Sequence, residues 1–359
     1  MTIFRDIYSG RSVLVTGHTG FKGSWLALWL KTLGADVTGL ALEPDTKPSH
    51  WDLLKLDIAD KRIDIRDADK VKEALSIAKP EIVFHLAAQP LVRRSYVEPL
   101  ETWSTNVMGT VNLLEACRNQ PSVRAIIIIT TDKCYENKEW AWGYREIDRL
   151  GGHDPYSASK ASSELVVSSY RQAFFNKPDS PLIASVRAGN VIGGGDWSED
   201  RLIPDLVRAI NNKKTLEIRS PNATRPWQHV LESLSGYLSL GQEMLEGNKN
   251  FAQAWNFGPS QEGNRTVGDV LSCMKAEWPI LDWTITDSPQ PHEANLLYLD
   301  SSKSHQLLKW KPVWSLDDSL KETADWYRTQ MEQGAVISQI QLDKYIKKAR
   351  QAGLKWSVS

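Results

Sequence analysis

The sequence predicts an α/β protein: a doubly wound parallel sheet with a smaller, interleaved C-terminal domain. Three observations carry this. Short, almost wholly apolar segments alternate with helical ones through the first half, the pattern of strands buried on both faces. A glycine-rich loop directly follows the first apolar run. After Arg187 the alternation gives way to loops, turn signals and scattered aromatic residues.

Taken in order, residues 11–16 read as a buried strand and 23–33 as a helix with Trp25, Leu26 and Trp29 on its inner side. Residues 36–42 form a second strand and 62–65 a short third. A helix over 69–78 is closed by Pro80, which cannot continue it. Residues 82–86 make the fourth strand, 101–119 a long helix and 125–130 the fifth strand. A second long helix covers 155–175, and the sixth strand 182–187. Right-handed crossovers then place ligands outside the C-terminal ends of the strands. Beyond Gly193-Gly194-Gly195-Asp196-Trp197 comes a helix over 203–211, and Ala254-Trp255-Asn256-Phe257 reads as a strand returning to the main sheet. The division into 1–187 and 188–359 is therefore interleaved. The lysines near the C-terminus (Lys344, Lys347, Lys348, Lys355) read as a solvated helix face.

A formal net charge of -1 provides no field for nucleic acid or an anionic membrane. Cys117, Cys134 and Cys273 are too scattered for a disulfide framework or a metal site, which suits a reducing compartment. No leader pattern and no bilayer-length apolar run is seen, so a cytoplasmic protein is expected, without metal or membrane partner. Most of the 15 Trp are expected to be packing residues.

The loop Gly17-His18-Thr19-Gly20-Phe21-Lys22-Gly23 lies between a strand and a helix. Glycines there let the backbone approach a pyrophosphate, and the helix N-terminus directs N–H groups at it. This makes the sheet Rossmann-like and the 1–187 segment dinucleotide-binding, through Gly17, Thr19, Gly20, Phe21, Lys22 and Gly23. Ala41 stands where a ribose-binding acid is usual, with Glu43 two residues on; no arginine is near in sequence, though Lys47 is close, so NAD is favoured over NADP. Asp64 and Ile65 are expected to meet the adenine. Leu86-Ala87-Ala88 offers small residues for the cofactor to lie against. Tyr156 and Lys160 are one helical turn apart. An ammonium beside a phenol favours the phenolate, which can take a hydroxyl proton as hydride leaves. Thr131, ending the fifth strand, is placed to bond the same hydroxyl.

These residues resemble the extended short-chain dehydrogenase/reductase family, in its nucleotide-sugar branch. The resemblance spans about residues 12–300 and rests on Gly17/Gly20/Gly23, His85-Leu86-Ala87-Ala88, Asn106, Thr131, Tyr156/Lys160 and Arg225-Pro226-Trp227-Gln228-His229-Val230. It implies NAD as cofactor, with Asn106 among its binding positions, and a C-terminal half that grips a nucleoside diphosphate sugar. Asn190, Arg201 and Arg225 match diphosphate or sugar contacts, and Arg94 a basic position near the sugar. Each also reads as a structural donor or a surface charge.

Asp132-Lys133 narrows the branch. A 4-epimerase needs only Thr, Tyr and Lys, whereas a 4,6-dehydratase needs a further acid and base. Thr-Asp resembles the 4,6-dehydratases. Lys133 in place of their Glu, with His18 and Lys22, is similar to the CDP-glucose 4,6-dehydratase group. The resemblance implies a lyase that oxidises C4, loses water across C5 and C6 with Asp132 as acid assisted by Lys133, and reduces C6. A nucleotide-sugar 4-epimerase, a non-catalytic NAD-binding regulator and a nucleic-acid module are the other readings, the last disfavoured by charge. In relatives the two long helices form a dimer contact, so a homodimer or homotetramer using Val107, Val111, Leu114, Val166 and Val167 is expected.

Overall fold

The structure, a computed structural model, describes residues 3–218, 220–286 and 296–358. The strands are β1 (Ser12–Thr16), β2 (Asp36–Ala41), β3 (Ala59–Arg62), β4 (Ile82–His85), β5 (Ala125–Ile129), β6 (Leu182–Ala188), β7 (Asn190–Ile192), β8 (Leu216–Ile218), β9 (Thr224–His229), β10 (Ala254–Phe257), β11 (Asn264–Thr266) and β12 (Trp283–Ile285). The helices are α1 (Phe21–Thr32), α2 (His50–Leu54), α3 (Ala68–Ala78), α4 (Val92–Val97), α5 (Pro99–Trp103), α6 (Gly109–Arg118), α7 (Pro155–Ala173), α8 (Leu202–Asn211), α9 (Val230–Leu245), α10 (Val267–Glu277), α11 (Leu316–Gln333) and α12 (Ser338–Gln351).

Seven strands form one sheet in the order β10-β6-β5-β4-β1-β2-β3. Every pair is parallel, including β10 against β6 with Ala254 opposite Ser185. The central strands are apolar on both faces because both are covered: Val13, Leu14, Val15 and all five residues of β5 are buried. The strand order reverses between β1 and β4, and the ligand-binding crevice of such sheets lies at that point. β7, β9 and β11 form a second small sheet, and β8 pairs with β12.

The third strand differs from expectation. It occupies Ala59–Arg62, paired with β2 from Thr38–Ala59 to Ala41–Arg62, and all four residues are exposed. An edge strand can be polar, so the apolar signal of Ile63 and Ile65 pointed three residues too late. The helix expected over 101–119 is three pieces: α5, a wider π-type turn at Ser104–Met108, and α6. That turn carries Asn106.

The C-terminal half closes back on the N-terminus. α9 is buried along its whole length, and its polar residues are paired within the protein, Glu232 accepting from Val313 N, Trp314 N and Tyr345 OH. Phe4 stacks on Trp356 with ring centroids 5.0 Å apart, and Phe4 N donates to Trp356 O at 2.7 Å. Lys348 and Lys355 do more than face solvent: they reach Asp318 and Glu243, and Lys344 pairs with Glu322. Leu114 and Val167, expected at a subunit contact, are instead fully buried against the sheet, and Val166 packs on the same cluster. Exposed apolar residues of these helical segments include Leu100, Trp103, Met108, Leu165 and Phe174. No described helix is long and apolar enough to cross a membrane.

Candidate active site

The glycine loop connects β1 to α1. Gly17 has φ +72°, and a Cβ there would lie 2.6 Å from Ala87 N. A Cβ on Gly23 would lie 2.0 Å from Gly17 O. These two glycines are therefore demanded by the protein's own backbone. At Gly20 a Cβ would meet only Gly17 O at 3.4 Å, so its outer side is open. Gly20 caps α1 without a side-chain acceptor, and the first turn carries no acid. Its unpaired N–H groups and the helix dipole make an anion site. A dinucleotide pyrophosphate fits this cradle. Thr19 Oγ1 donates to Leu42 O at 3.1 Å and so pins the loop to the end of β2, while Phe21 is buried.

Around the adenosine end the structure brings together what the sequence separates. Ala41 is buried and Glu43 is exposed. Arg62, cross-strand from Ala41, lies where the sequence offered no arginine. It is neutralised there: Nη2 donates to Asp60 Oδ2 at 2.7 Å, Nη1 donates to Leu42 O at 2.9 Å, and Glu43 lies 3.5 Å from Nε. His18 is fully buried, with Nε2 3.0 Å from Asp60 Oδ1 and its ring edge-on to Trp51. The Asp64 carboxylate is held by Arg66 and lies below the usual carboxylate range for that reason. The Ile65 side chain packs into the core beside Gly109, so only its backbone is placed to face a ligand. Leu86-Ala87-Ala88 follows β4, and Ala87 N donates to Thr16 Oγ1 at 3.2 Å. Asn106 acts on this loop at one remove. Its Oδ1 accepts from Gln89 N at 2.8 Å, and its Nδ2 donates to Gln89 O at 3.1 Å and to Ser159 Oγ at 2.8 Å. With these bonds Asn106 ties the β4 loop to α7.

Asp154, accepting from Ser157 N, and Pro155 start α7 and so set Tyr156 and Lys160 on its buried face. Lys160 Nζ donates to Ile129 O at 3.2 Å. Thr131 caps a short turn, Asp132–Cys134, its hydroxyl oxygen accepting from Lys133 N at 3.4 Å. The sequence led us to expect a phenolate near neutral pH. In the structure burial pushes Tyr156 up to about 12, against the opposing pull of Thr131 and Arg201. Burial also lowers Lys160 to about 8, against the pull of Glu164 one turn on. Desolvation thus dominates both groups in the protein alone.

Asp132 is fully buried. Oδ1 accepts from Thr131 Oγ1 at 2.9 Å and lies 3.4 Å from Lys133 Nζ, while Oδ2 has no partner among the described residues. Lys133 Nζ also donates to Asn190 Oδ1 at 3.4 Å. Lys22, in the first turn of α1, is lowered to about 7, by burial first and then by Arg201, with Lys160 and Lys133 adding to it and Asp132 opposing.

A cavity of about 1280 Å³ begins at Lys22, Thr131 and Tyr156 and extends to Arg225 and Trp227. It has room for an elongated polar ligand. Among the described tryptophans only Trp227 lines it. Asn190, Arg201 and Arg225 line it too; Arg201 is held by Asp196 at 2.9 Å and Arg225 donates to Thr224 O. Arg94 does not. It turns outward to Glu98 at 2.7 Å and to Glu101, and its neighbour Arg93 lines the wall, 3.1 Å from Asp200. The phase of the short helix α4, which the sequence did not signal, decides between the two. Arg149, also on the wall, was missed because nothing in its segment marks it.

The family model for GDP-mannose 4,6 dehydratase matches residues 14–323. A CDP-glucose 4,6-dehydratase of Salmonella typhimurium is 49% identical over 333 residues, covering 91% of this chain and 93% of that one. A dTDP-glucose 4,6-dehydratase from Streptomyces venezuelae, solved with NAD bound, superposes with a TM-score of 0.75 at 25% identity, covering 90% and 98% of the two chains. An epimerase from Methanothermobacter thermautotrophicus has the same fold, with a TM-score of 0.80 at 23% identity and coverage of 91% and 95%.

Proposed function

The chain belongs to the GDP-mannose 4,6-dehydratase family, and we propose that it is an NAD-dependent hydro-lyase converting CDP-D-glucose to CDP-4-keto-6-deoxy-D-glucose and water. The observation that carries this is the Asp132 carboxyl, buried between Thr131 and Lys133 with one oxygen unpartnered. A 4-epimerase has no use for such an acid. The 49% identity to a CDP-glucose enzyme supports the cytidine nucleotide.

NAD would be held by the glycine loop and the N-terminus of α1, and would supply the hydride chemistry that links C4 to C6. Tyr156 takes the O4 proton while Thr131 orients that oxygen. The 4-ketone acidifies C5–H, whose proton passes to a basic group on the cavity wall and returns to C5 when C6 is reduced. Asp132 protonates the departing C6 oxygen, and Lys133 steers this carboxyl and stabilises the enolate. Arg93, Arg201, Arg225 and Asn190 grip the diphosphate and sugar from the cavity wall. Arg62 already pairs with Asp60 and Glu43, which supports NAD over NADP. A cytoplasmic setting suits the free thiols of Cys117 and Cys134, which burial pushes upward in pKa.

The test is Asp132→Asn with CDP-, dTDP-, UDP- and GDP-hexoses. The wild type is expected to give a keto sugar from CDP-glucose, read by its near-ultraviolet absorbance in alkali. The variant should oxidise C4 yet lose water about 100-fold more slowly. Dehydration by the variant at near wild-type rate sinks the assignment. Self-association is proposed through the exposed apolar residues of the α5–α7 segments, Trp103, Met108 and Leu165 among them; sedimentation showing only monomer removes it.

A further inference from the structure

Arg201 lines the cavity with its guanidinium bound on one side only. Nη1 donates to Asp196 Oδ2 at 2.9 Å, whereas Nε and Nη2 have no partner among the described residues. The Arg201 side chain is 32% exposed and that of Asp196 only 4%. A cation fixed at one nitrogen and open at the others is set to receive an anionic ligand, and its aim depends on where its carboxylate is held.

Asp196 is held by its own loop and by one distant helix. Oδ1 accepts from Ser198 N at 3.0 Å, within the loop. The backbone oxygen accepts from Tyr327 OH at 2.5 Å, and Tyr327 lies on α11, 131 residues further along the chain. Among the described residues it is the only group outside 196–201 that hydrogen-bonds Asp196. Tyr327 is buried, its ring edge-on to Trp197 with centroids 5.9 Å apart. The loop on either side is already seated. Gly194 lies so close to Trp326 that any Cβ there would overlap the indole, and Gly194 O accepts from Trp25 Nε1 of α1 at 2.9 Å. Arg208 donates to Trp197 O at 2.6 Å and to Ser198 O at 3.1 Å. Between these two anchors the Tyr327 hydroxyl fixes the peptide that carries the Asp196 carboxylate.

We propose that Tyr327 is a positioning residue for substrate binding: through the Asp196 carbonyl it sets the Asp196–Arg201 pair and so aims the open side of the guanidinium at the ligand's diphosphate. This role rests on the diphosphate grip proposed for Arg201. It extends the site to α11, none of whose residues lines the cavity.

Tyr327→Phe keeps the ring against Trp197 and removes the hydroxyl. Calorimetry of CDP binding to the NAD-loaded protein should show an affinity about tenfold weaker. KM for CDP-glucose should rise with it, while kcat stays within about twofold of wild type. Arg201→Ala should weaken CDP binding about 30-fold. Adding Tyr327→Phe to Arg201→Ala should cost less than about a further twofold, because no guanidinium remains to be aimed. Asp196→Glu keeps the charge and moves the carboxylate by one methylene. It should behave as Tyr327→Phe does in both backgrounds, and it carries the test if the phenylalanine variant lacks a native circular dichroism spectrum. Equal weakening by Tyr327→Phe with and without Arg201 marks a purely structural hydroxyl and overturns the inference. Unchanged CDP affinity in Tyr327→Phe, or a loss confined to kcat, overturns it too. A protein that shows the expected pattern with CDP yet makes no keto sugar keeps this positioning role and loses the dehydratase reading.

Discussion

Replacing Glu164 by Gln tests how the catalytic helix is locked to the sheet. Glu164 lies on α7, one turn beyond Lys160. Its Oε2 accepts from Arg187 Nη2 and from Ser185 Oγ, both at 2.7 Å, and its Oε1 accepts from Thr130 Oγ1 at 2.5 Å. The two charged side chains are 3% and 2% exposed. Arg187 also donates to Tyr135 OH at 2.7 Å. The Gln variant leaves the guanidinium buried without a counter-charge, which costs about 3–5 kcal/mol. Against a typical total of roughly 5–15 kcal/mol, this should lower the melting temperature by on the order of 10 °C, measured by circular dichroism. Adding Arg187→Met removes the orphaned charge and should recover most of the loss. Burial raises the Glu164 pKa, but Arg187 and the hydrogen bonds from Arg187, Thr130 and Ser185 outweigh it, so the net shift is downward. A depressed folded pKa contributes stability above the unfolded value and loses it as pH falls through the folded one. The gap between wild type and variant should therefore narrow below about pH 4.5. Removing Glu164 also removes a pull that keeps Lys160 protonated, so the alkaline limb of the rate profile should move to lower pH. A single variant that melts within 2 °C of wild type, or a double variant that melts below the single one, would refute the reasoning.

Three further outcomes follow from named contacts. Gly23→Ala puts a methyl 2.0 Å from Gly17 O, so NAD binding measured by calorimetry should fall by more than about tenfold while far-ultraviolet circular dichroism stays native. Glu232 is raised to about 7, chiefly by burial and against hydrogen bonds from Trp314 N, Tyr345 OH and Val313 N. An acid with a raised folded pKa loses stability as pH rises from its unfolded value through the folded one, here from about 4.5 to 7, at a cost of about 3 kcal/mol; melting temperatures compared at pH 5 and 8 should show this fall in the wild type and not in Glu232→Gln. Arg93→Ala should raise KM for the nucleotide sugar about tenfold, whereas Arg94→Ala should leave it within twofold, because Arg94 pairs outside the cavity; equal effects would undo the corrected placement.

What the sequence made legible was local. Runs such as Val13-Leu14-Val15 and Ile126-Ile127-Ile128-Ile129 announce buried strands because both faces need apolar side chains. The glycine loop and the Tyr156/Lys160 spacing announce a cradle and a helix face. What stayed hidden depends on register between distant segments. Asp60 and Arg62 lie on an exposed edge strand with no apolar signature, and only its pairing with β2 puts Arg62 beside Ala41. Arg93 or Arg94 is a question of phase on a helix one and a half turns long. Asn106 matches a family position, but its role through Gln89 and Ser159 follows from a π-type turn that no spacing predicts. The Tyr156 phenol shows the opposite failure: its spacing from Lys160 was visible, and the desolvation that raises it was not.

The fold by itself does not distinguish return of hydride to the carbon it left from return two atoms away. The Methanothermobacter epimerase superposes as well as the Streptomyces dehydratase does, and the roles proposed for the glycine loop, Tyr156, Lys160 and Thr131 would serve either outcome. The difference has to lie in a group that can protonate a leaving hydroxyl out of reach of solvent. One short turn, Asp132–Cys134, meets that requirement. It is capped by Thr131, and in the proposed mechanism the acid would then sit next to the residue that orients O4, holding oxidation and elimination in register through a single peptide unit. Moving that carboxyl elsewhere, by exchanging Asp132 and Lys133, should therefore leave C4 oxidation measurable and abolish water loss, even though composition and charge are unchanged. If the exchanged protein still dehydrated, the acid would lie outside this turn, and the distinction drawn between the two reactions would fail with it.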